Sequence, residues 1–132
     1  MSMNGGADVV GLDTCATRKV DAGRVSAARE SLIDFEDAEE LAACFRLLGD
    51  PKRVRILYAL LEAGELCVCD IAATSDVPET TVSHAMRLLR TAGIVRHRRD
   101  GRMIYYRLDD AHVRLLLDVS KEHVVHEGAR TR

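Results

Sequence analysis

Apolar residues recur at helical spacing through most of this chain, and the period shortens to strand-like alternation in one late stretch. Residues 1–12 are small, polar and Gly-rich, and 13–22 are weakly patterned, so 1–22 is expected to be a flexible arm. A first helix is predicted over 23–33. Acids then crowd 34–40, complementing the N-terminal dipole of a second helix that runs to residue 48 with Leu41, Cys44, Phe45 and Leu48 on one side. Gly49-Asp50-Pro51 ends it and opens a third, with Pro in the first turn, Val54, Ile56, Leu57, Leu60 and Leu61 inside, and Gly64 as the stop. A short helix over 67–74, a turn at Ser75-Asp76-Val77-Pro78 and a longer helix over 79–92 follow. The longer helix carries Val82, Met86 and Leu89 on one face and closes at Gly93. Residues 94–98 and 103–108 read as strands joined by Arg99-Asp100-Gly101-Arg102, where Asp-Gly signals a hairpin. Leu108-Asp109-Asp110 caps a last helix to about residue 126, and 128–132 is expected to be a disordered tail.

Short helix, tight turn, longer helix and arginine-bearing hairpin together predict a mainly α fold with a small β-hairpin wing. This is a winged helix-turn-helix spanning 23–127, in which the second helix enters the major groove and the wing rests on the backbone. Thr80, Thr81, Ser83 and His84 are short polar groups at the start of the candidate recognition helix, with Arg87 one turn further on; they suit base edges and phosphates. Arg98, Arg99 and Arg102 on the wing suit phosphates. The plainer alternative for each Thr or Ser is helix capping.

Composition narrows the class. At 132 residues the chain suits one domain, and no apolar run approaches the roughly 20 residues of a membrane span, so no membrane partner is expected. Aromatics are 4% with no Trp, which argues against a stacking platform for single strands. Net charge is −2, yet 51–107 holds ten Lys/Arg against six Asp/Glu, and 87–107 holds seven Arg against Asp100 alone. A basic segment within an acidic protein points to a local polyanion site, a solvated charged face being the alternative. No nucleophile–base pair, phosphate loop or paired catalytic carboxylates stand out, so neither an enzyme nor an organic cofactor is expected.

Four cysteines occur, and the first dozen residues show no secretory signal. The expected compartment is the cytoplasm, where cysteines serve packing, metal or redox roles rather than structural disulfides. Glu65-Leu66-Cys67-Val68-Cys69-Asp70 places two thiols two apart at a helix N-terminus, whose dipole favours thiolates. Cys15 on the arm is the available third ligand, and three thiolates suit soft ions such as cadmium, lead or arsenite. Small buried hydrophobes are the alternative for Cys67 and Cys69, and Cys44 reads as core. On the last helix, Asp110, His112, His123 and His126 suit tetrahedral zinc or cobalt. His112 and His123 are eleven residues apart, roughly 16 Å along a helix, so one chain cannot close that site. An antiparallel copy can, which implies a two-fold dimer paired through Val113, Leu116, Leu117 and Val124. A solvated His-rich helix end is the alternative.

These residues resemble the ArsR/SmtB family of metal-sensing winged-helix repressors over roughly 37–126. The marks are Leu47-Leu48-Gly49-Asp50-Pro51-Lys52-Arg53 before Ile56-Leu57, the thiolate string 65–70, and Thr81-Val82-Ser83-His84 before Leu88-Leu89. Gly93-Ile94-Val95, and Gly101-Arg102 before Tyr105-Tyr106, complete them. With Asp13-Thr14-Cys15 and the histidine pattern, the chain looks most like the cadmium/lead/zinc-responsive branch. The resemblance implies a homodimer that represses when metal-free and leaves double-stranded operator DNA, an imperfect inverted repeat, when metal binds. Metal resistance or efflux genes would then be derepressed. By position it assigns Cys67, Cys69 and Cys15 to the thiolate site, the arm usually coming from the other subunit. A second arm cysteine common in related sensors is missing from 16–21, and a third cysteine common in arsenite sensors is missing from 71–74. A thiol-redox or arsenite-sensing repressor of the same fold, and a metal-buffering protein, are the competing readings.

Overall fold

A computed structural model describes residues 15–109 and 111–131, the side chains of 126–131 excepted. The chain divides into two compact units, one up to Asp37 and one from Ala38 onward. In the first, helix α1 (Ala22–Ser31) is capped by Asp21, whose carboxylate accepts the Arg24 N–H at 3.0 Å, and it buries no residue. Helix α2 (Phe35–Leu48) begins beside Asp34, which accepts the Asp37 N–H at 2.8 Å.

The second unit holds the core. Helix α3 (Pro51–Ala63) starts at an Asp50 cap that accepts the Arg53 N–H, and it ends at Gly64, whose φ of 88° is a conformation that favours glycine. Then come β1 (Leu66–Cys67), α4 (Val68–Ser75), α5 (Glu79–Thr91), β2 (Val95–Asp100), β3 (Met103–Leu108) and α6 (Ala111–Thr131). Ile56, Leu57 and Leu60 of α3, Ile71 of α4 and Val82, Met86 and Leu89 of α5 form one cluster, closed by Val95, Leu108 and Leu117. Ile56, Leu60, Met86 and Leu89 are fully excluded from water, so cutting any one to Ala should cost about 2–5 kcal/mol.

Several sequence expectations shift in detail. β1 is a strand where a helix was expected to begin, because Leu66 and Cys67 pair antiparallel with Tyr106 and Tyr105. The sheet order is β1-β3-β2. β2 runs to Asp100, which pairs with Met103, so the turn is Gly101-Arg102. Gly101 takes φ 63° at the first central position, where a type II′ turn requires glycine. α6 continues to Thr131, past the end expected near residue 126. On α2, Cys44 and Leu48 pack against the core, but Leu41 and Phe45 remain exposed.

Candidate DNA interface and metal-ligand positions

The helix-turn-helix is built by α4, the turn 76–78 and α5. Asp76 ends α4 in the left-handed conformation, and its N–H and that of Val77 both return to the Ala72 carbonyl, at 2.9 and 3.3 Å. Arg55 of α3 donates from Nε to the Ser75 carbonyl at 2.8 Å, fixing the turn against the core. Arg53 is likewise spent internally, on the Leu47 carbonyl at 2.7 Å. Two of the basic residues in the charge count therefore hold the fold rather than a ligand.

With Val82, Ala85, Met86 and Leu89 turned inward, α5 leaves Thr80, Ser83, His84 and Arg87 exposed. Their spacing is that of one helical face. Thr81 is only half-exposed. The capping alternative falls away, because Pro78 is the N-cap and no side chain caps this helix. On the wing, Arg99 and Arg102 are exposed and make no ion pair among the described residues. Arg98 differs. Its Nε and Nη2 donate to both carboxylate oxygens of Glu65, at 2.9 and 2.8 Å. Its guanidinium lies 4.8 Å from the Tyr105 ring centroid, and its Nη1 is 3.9 Å from the Asp100 carboxylate. That hydrogen bond from Arg98 holds the Glu65 carboxyl below its ordinary range. Arg96 is paired too, with Asp109 at 3.1 Å.

Cys67 is the N-cap residue of α4 and is 5% exposed, whereas Cys69, in the first turn, is open to solvent. The helix dipole was expected to favour a thiolate at this end. Instead the Cys69 thiol is pushed up, first by the charge of Glu79 at the start of α5, then by burial and by Cys67, with a hydrogen bond to Glu79 adding to the effect. The charge of Glu79 leads the causes, so the thiol moves up and not down. No group of three or more His, Cys, Asp or Glu is gathered for a metal among the described residues. The donor chemistry of Cys67 and Cys69 suits a soft ion, with Cys67 buried and Cys69 exposed. Cys15 is exposed in the N-terminal unit.

His112 and His123 both stand on the uninterrupted α6, roughly 16 Å apart along its axis. Asp110 and the side chain of His126 lie outside the described residues. Of the apolar residues expected to pair α6 with a copy, Leu117 is buried in the chain's own core and Val113 packs against it. Leu116 and Val124 are exposed. Two relationships in this site carried no sequence signal, although Glu65 belongs to the thiolate string 65–70. The charge of Glu79 acts on Cys69 across the helix-turn-helix, and Glu65 meets Arg98 at a separation of 33 residues. Neither spacing belongs to a single helix or hairpin.

A recognition helix with one polar face, held by a three-helix core and flanked by a basic hairpin, defines a winged helix-turn-helix DNA-binding protein. A model of bacterial regulatory proteins of the arsR family matches residues 50–97. A cadmium resistance transcriptional regulatory protein CadC homolog from Staphylococcus aureus is 37% identical over 84% of this chain and 91% of its own. The chain belongs to the ArsR family, and it is a DNA-binding regulator rather than an enzyme. Among solved structures, an antimony-specific transcriptional repressor, AntR, superposes with a TM-score of 0.66 at 32% identity, covering 77% of this chain and 90% of the other. A homodimeric winged helix-turn-helix domain from Mycobacterium bovis gives 0.61 at 29% identity, covering 73% and 94%.

Proposed function

We propose that the protein is a metal-responsive transcriptional repressor. As a homodimer it holds operator DNA when metal-free and releases it when a soft divalent ion (cadmium, lead or zinc) is taken up, derepressing resistance or efflux genes. Cys67 and Cys69, with Cys15 of the arm, are the residues that would hold the ion. The observation that carries this reading is the position of the two thiols: Cys67 is laddered to the wing strand and Cys69 sits in the first turn of α4. Ligation there acts directly on the elements that face DNA, and by linkage an ion that prefers the released shape must weaken DNA binding by the same factor. The likeness to a cadmium resistance regulator and to an antimony-specific repressor supports the same class of effector.

Thr80, Ser83 and His84 then read base edges, with Thr81 nearer the core, while Arg87, Arg99 and Arg102 neutralise phosphate. Dimerisation is supported by a groove of ≈ 460 Å³ between α2, α3 and α6, lined by Phe45, Tyr58, Leu116, Val124 and Val125. Phe45 is 50% exposed and Val124 67%, an apolar face that a second copy would cover. An antiparallel α6 would bring Asp110 and His112 of one chain to His123 and His126 of the other, a zinc or cobalt site.

The test is a titration of the DNA complex with cadmium, lead, zinc and arsenite, using wild type and the double variant Cys67→Ser, Cys69→Ser. The variant should keep its DNA affinity and lose both the ultraviolet thiolate-to-metal band and the release. Release by peroxide in metal-free buffer would replace this reading with thiol oxidation.

A further inference from the structure

We propose that Glu65 and Arg98 tie the thiol-bearing segment to the wing, so that Arg98 positions the DNA-facing hairpin instead of contacting phosphate. The inference rests on the metal-responsive reading above and names the link it needs.

The register across the sheet places three residues in one row. Tyr105 is the partner of Cys67 on one side and of Arg98 on the other. Residues directly opposite in antiparallel strands share a face, and so do residues two apart in one strand. Glu65 immediately precedes β1, and its carboxylate reaches Arg98, so the pair bridges from the start of β1 over β3 to β2. The bridge is a fork-on-fork contact at 2.9 and 2.8 Å, the most directional kind of ion pair. Tyr105 beneath the guanidinium and Asp100 beside it complete its surroundings. An arginine so engaged is poorly placed to meet a phosphate. Its neighbour Arg99 and the turn residue Arg102 are exposed and unpaired among the described residues.

The link has something to transmit. Cys67 is laddered to Tyr105 in β1, and Cys69, two residues on in α4, is open to solvent, so an ion gripped by both pulls on the β1–α4 junction. β1 is only two residues long and pairs with β3 alone, so few backbone bonds resist that movement or pass it on. The Glu65–Arg98 fork couples it to β2, three residues before the wing turn. Without the fork, the displacement stays in β1.

The experiment uses the full chain, a labelled duplex from the DNA flanking its own gene, and cadmium ion alone. Glu65→Gln should keep the cadmium–thiolate absorption, and its response to cadmium is read against its own metal-free affinity for the duplex. Its cadmium-induced loss of DNA affinity should shrink at least about fivefold, the lower end of ordinary coupling ratios. Arg98→Lys, which keeps the charge but not the fork, should shrink it similarly, and the exchange Glu65→Arg with Arg98→Glu should restore it. The neutral double variant Glu65→Gln, Arg98→Gln should leave the slope of affinity against salt unchanged, whereas a lost phosphate contact would lower it by about 1. Full cadmium release by both Glu65→Gln and Arg98→Lys overturns the inference alone, as does a lowered slope in the double variant. Wild-type protein that binds cadmium yet keeps its grip on DNA overturns the repressor reading and the inference with it.

Discussion

Tyr58 of α3 donates its hydroxyl to the Leu117 carbonyl of α6 at 2.6 Å, across 59 residues of sequence. The bond fastens the last helix to the helix that supports the recognition unit, with the Lys121 ammonium 5.9 Å from the Tyr58 ring centroid. Any rearrangement of α6 therefore reaches α3 through a defined contact as well as through Leu117 in the core.

Tyr58→Phe should lower stability by about 1 kcal/mol, the usual net worth of one hydrogen bond. Burial pushes the Tyr58 hydroxyl above its ordinary 10.0, outweighing the opposing charge of Lys121. The folded chain thus holds the proton more tightly than the unfolded one. That contribution is complete below pH 10.0 and is lost as pH rises through the higher folded value. Denaturation midpoints taken on either side of pH 10.0, for wild type and Tyr58→Phe, check the sign: the variant should lack this part of the alkaline fall.

Arg99→Ala should weaken binding to every duplex alike and lower the salt slope by about 1, since a phosphate contact carries no sequence information. Ser83→Ala or Thr80→Ala should instead change base preference at one or two positions, by about 1–3 kcal/mol for a well-made base contact. Anisotropy titrations over a set of duplex variants at two salt concentrations separate the two patterns.

Glu79→Gln removes the charge that raises the Cys69 thiol. More thiolate should be present near neutral pH, so alkylation of Cys69 by iodoacetamide should quicken and its pH profile should move to lower pH. Metal uptake should release fewer protons for the same reason. An unchanged profile would mean that Glu79 does not set the acidity of this thiol.

The histidine site is tested by mixing damage. One variant carries Asp110→Ala with His112→Ala, the other His123→Ala with His126→Ala. Each homodimer should lack tetrahedral cobalt absorption. A purified heterodimer should recover one site per dimer, because the cross-chain arrangement collects both damaged halves in one site and both intact halves in the other. No recovery, beside a wild type that absorbs, would place the ligands within single chains.

Much of this molecule was legible in local pattern. Pro51 after Asp50, Gly64, the turn around Asp76 and the apolar spacing of Val82, Met86 and Leu89 are short-range signals, and α3, α4 and α5 follow from them within a residue or two. The outward face of α5 follows as well, since residues that turn Val82 and Met86 inward must turn Ser83 and Arg87 outward. The eleven-residue separation of His112 and His123 likewise needs only the helical rise.

What tertiary structure alone decided lies at long range. β1 exists because β3 offers an edge to Leu66 and Cys67, not because two residues have a strand pattern. Leu117 goes to the chain's own core while Leu116 beside it stays exposed, because α6 rests its Leu117 face on α3, where Tyr58 bonds the Leu117 carbonyl. Arg98 and Arg99 are alike in sequence, yet one closes on Glu65 and the other is left to solvent. Alternation along β2 puts them on opposite faces, and only the pairing of β1 beside β3 brings the Glu65 carboxylate to Arg98. The helix end alone favours a Cys69 thiolate, yet the thiol is raised, chiefly by Glu79, a charge that only the fold brings near.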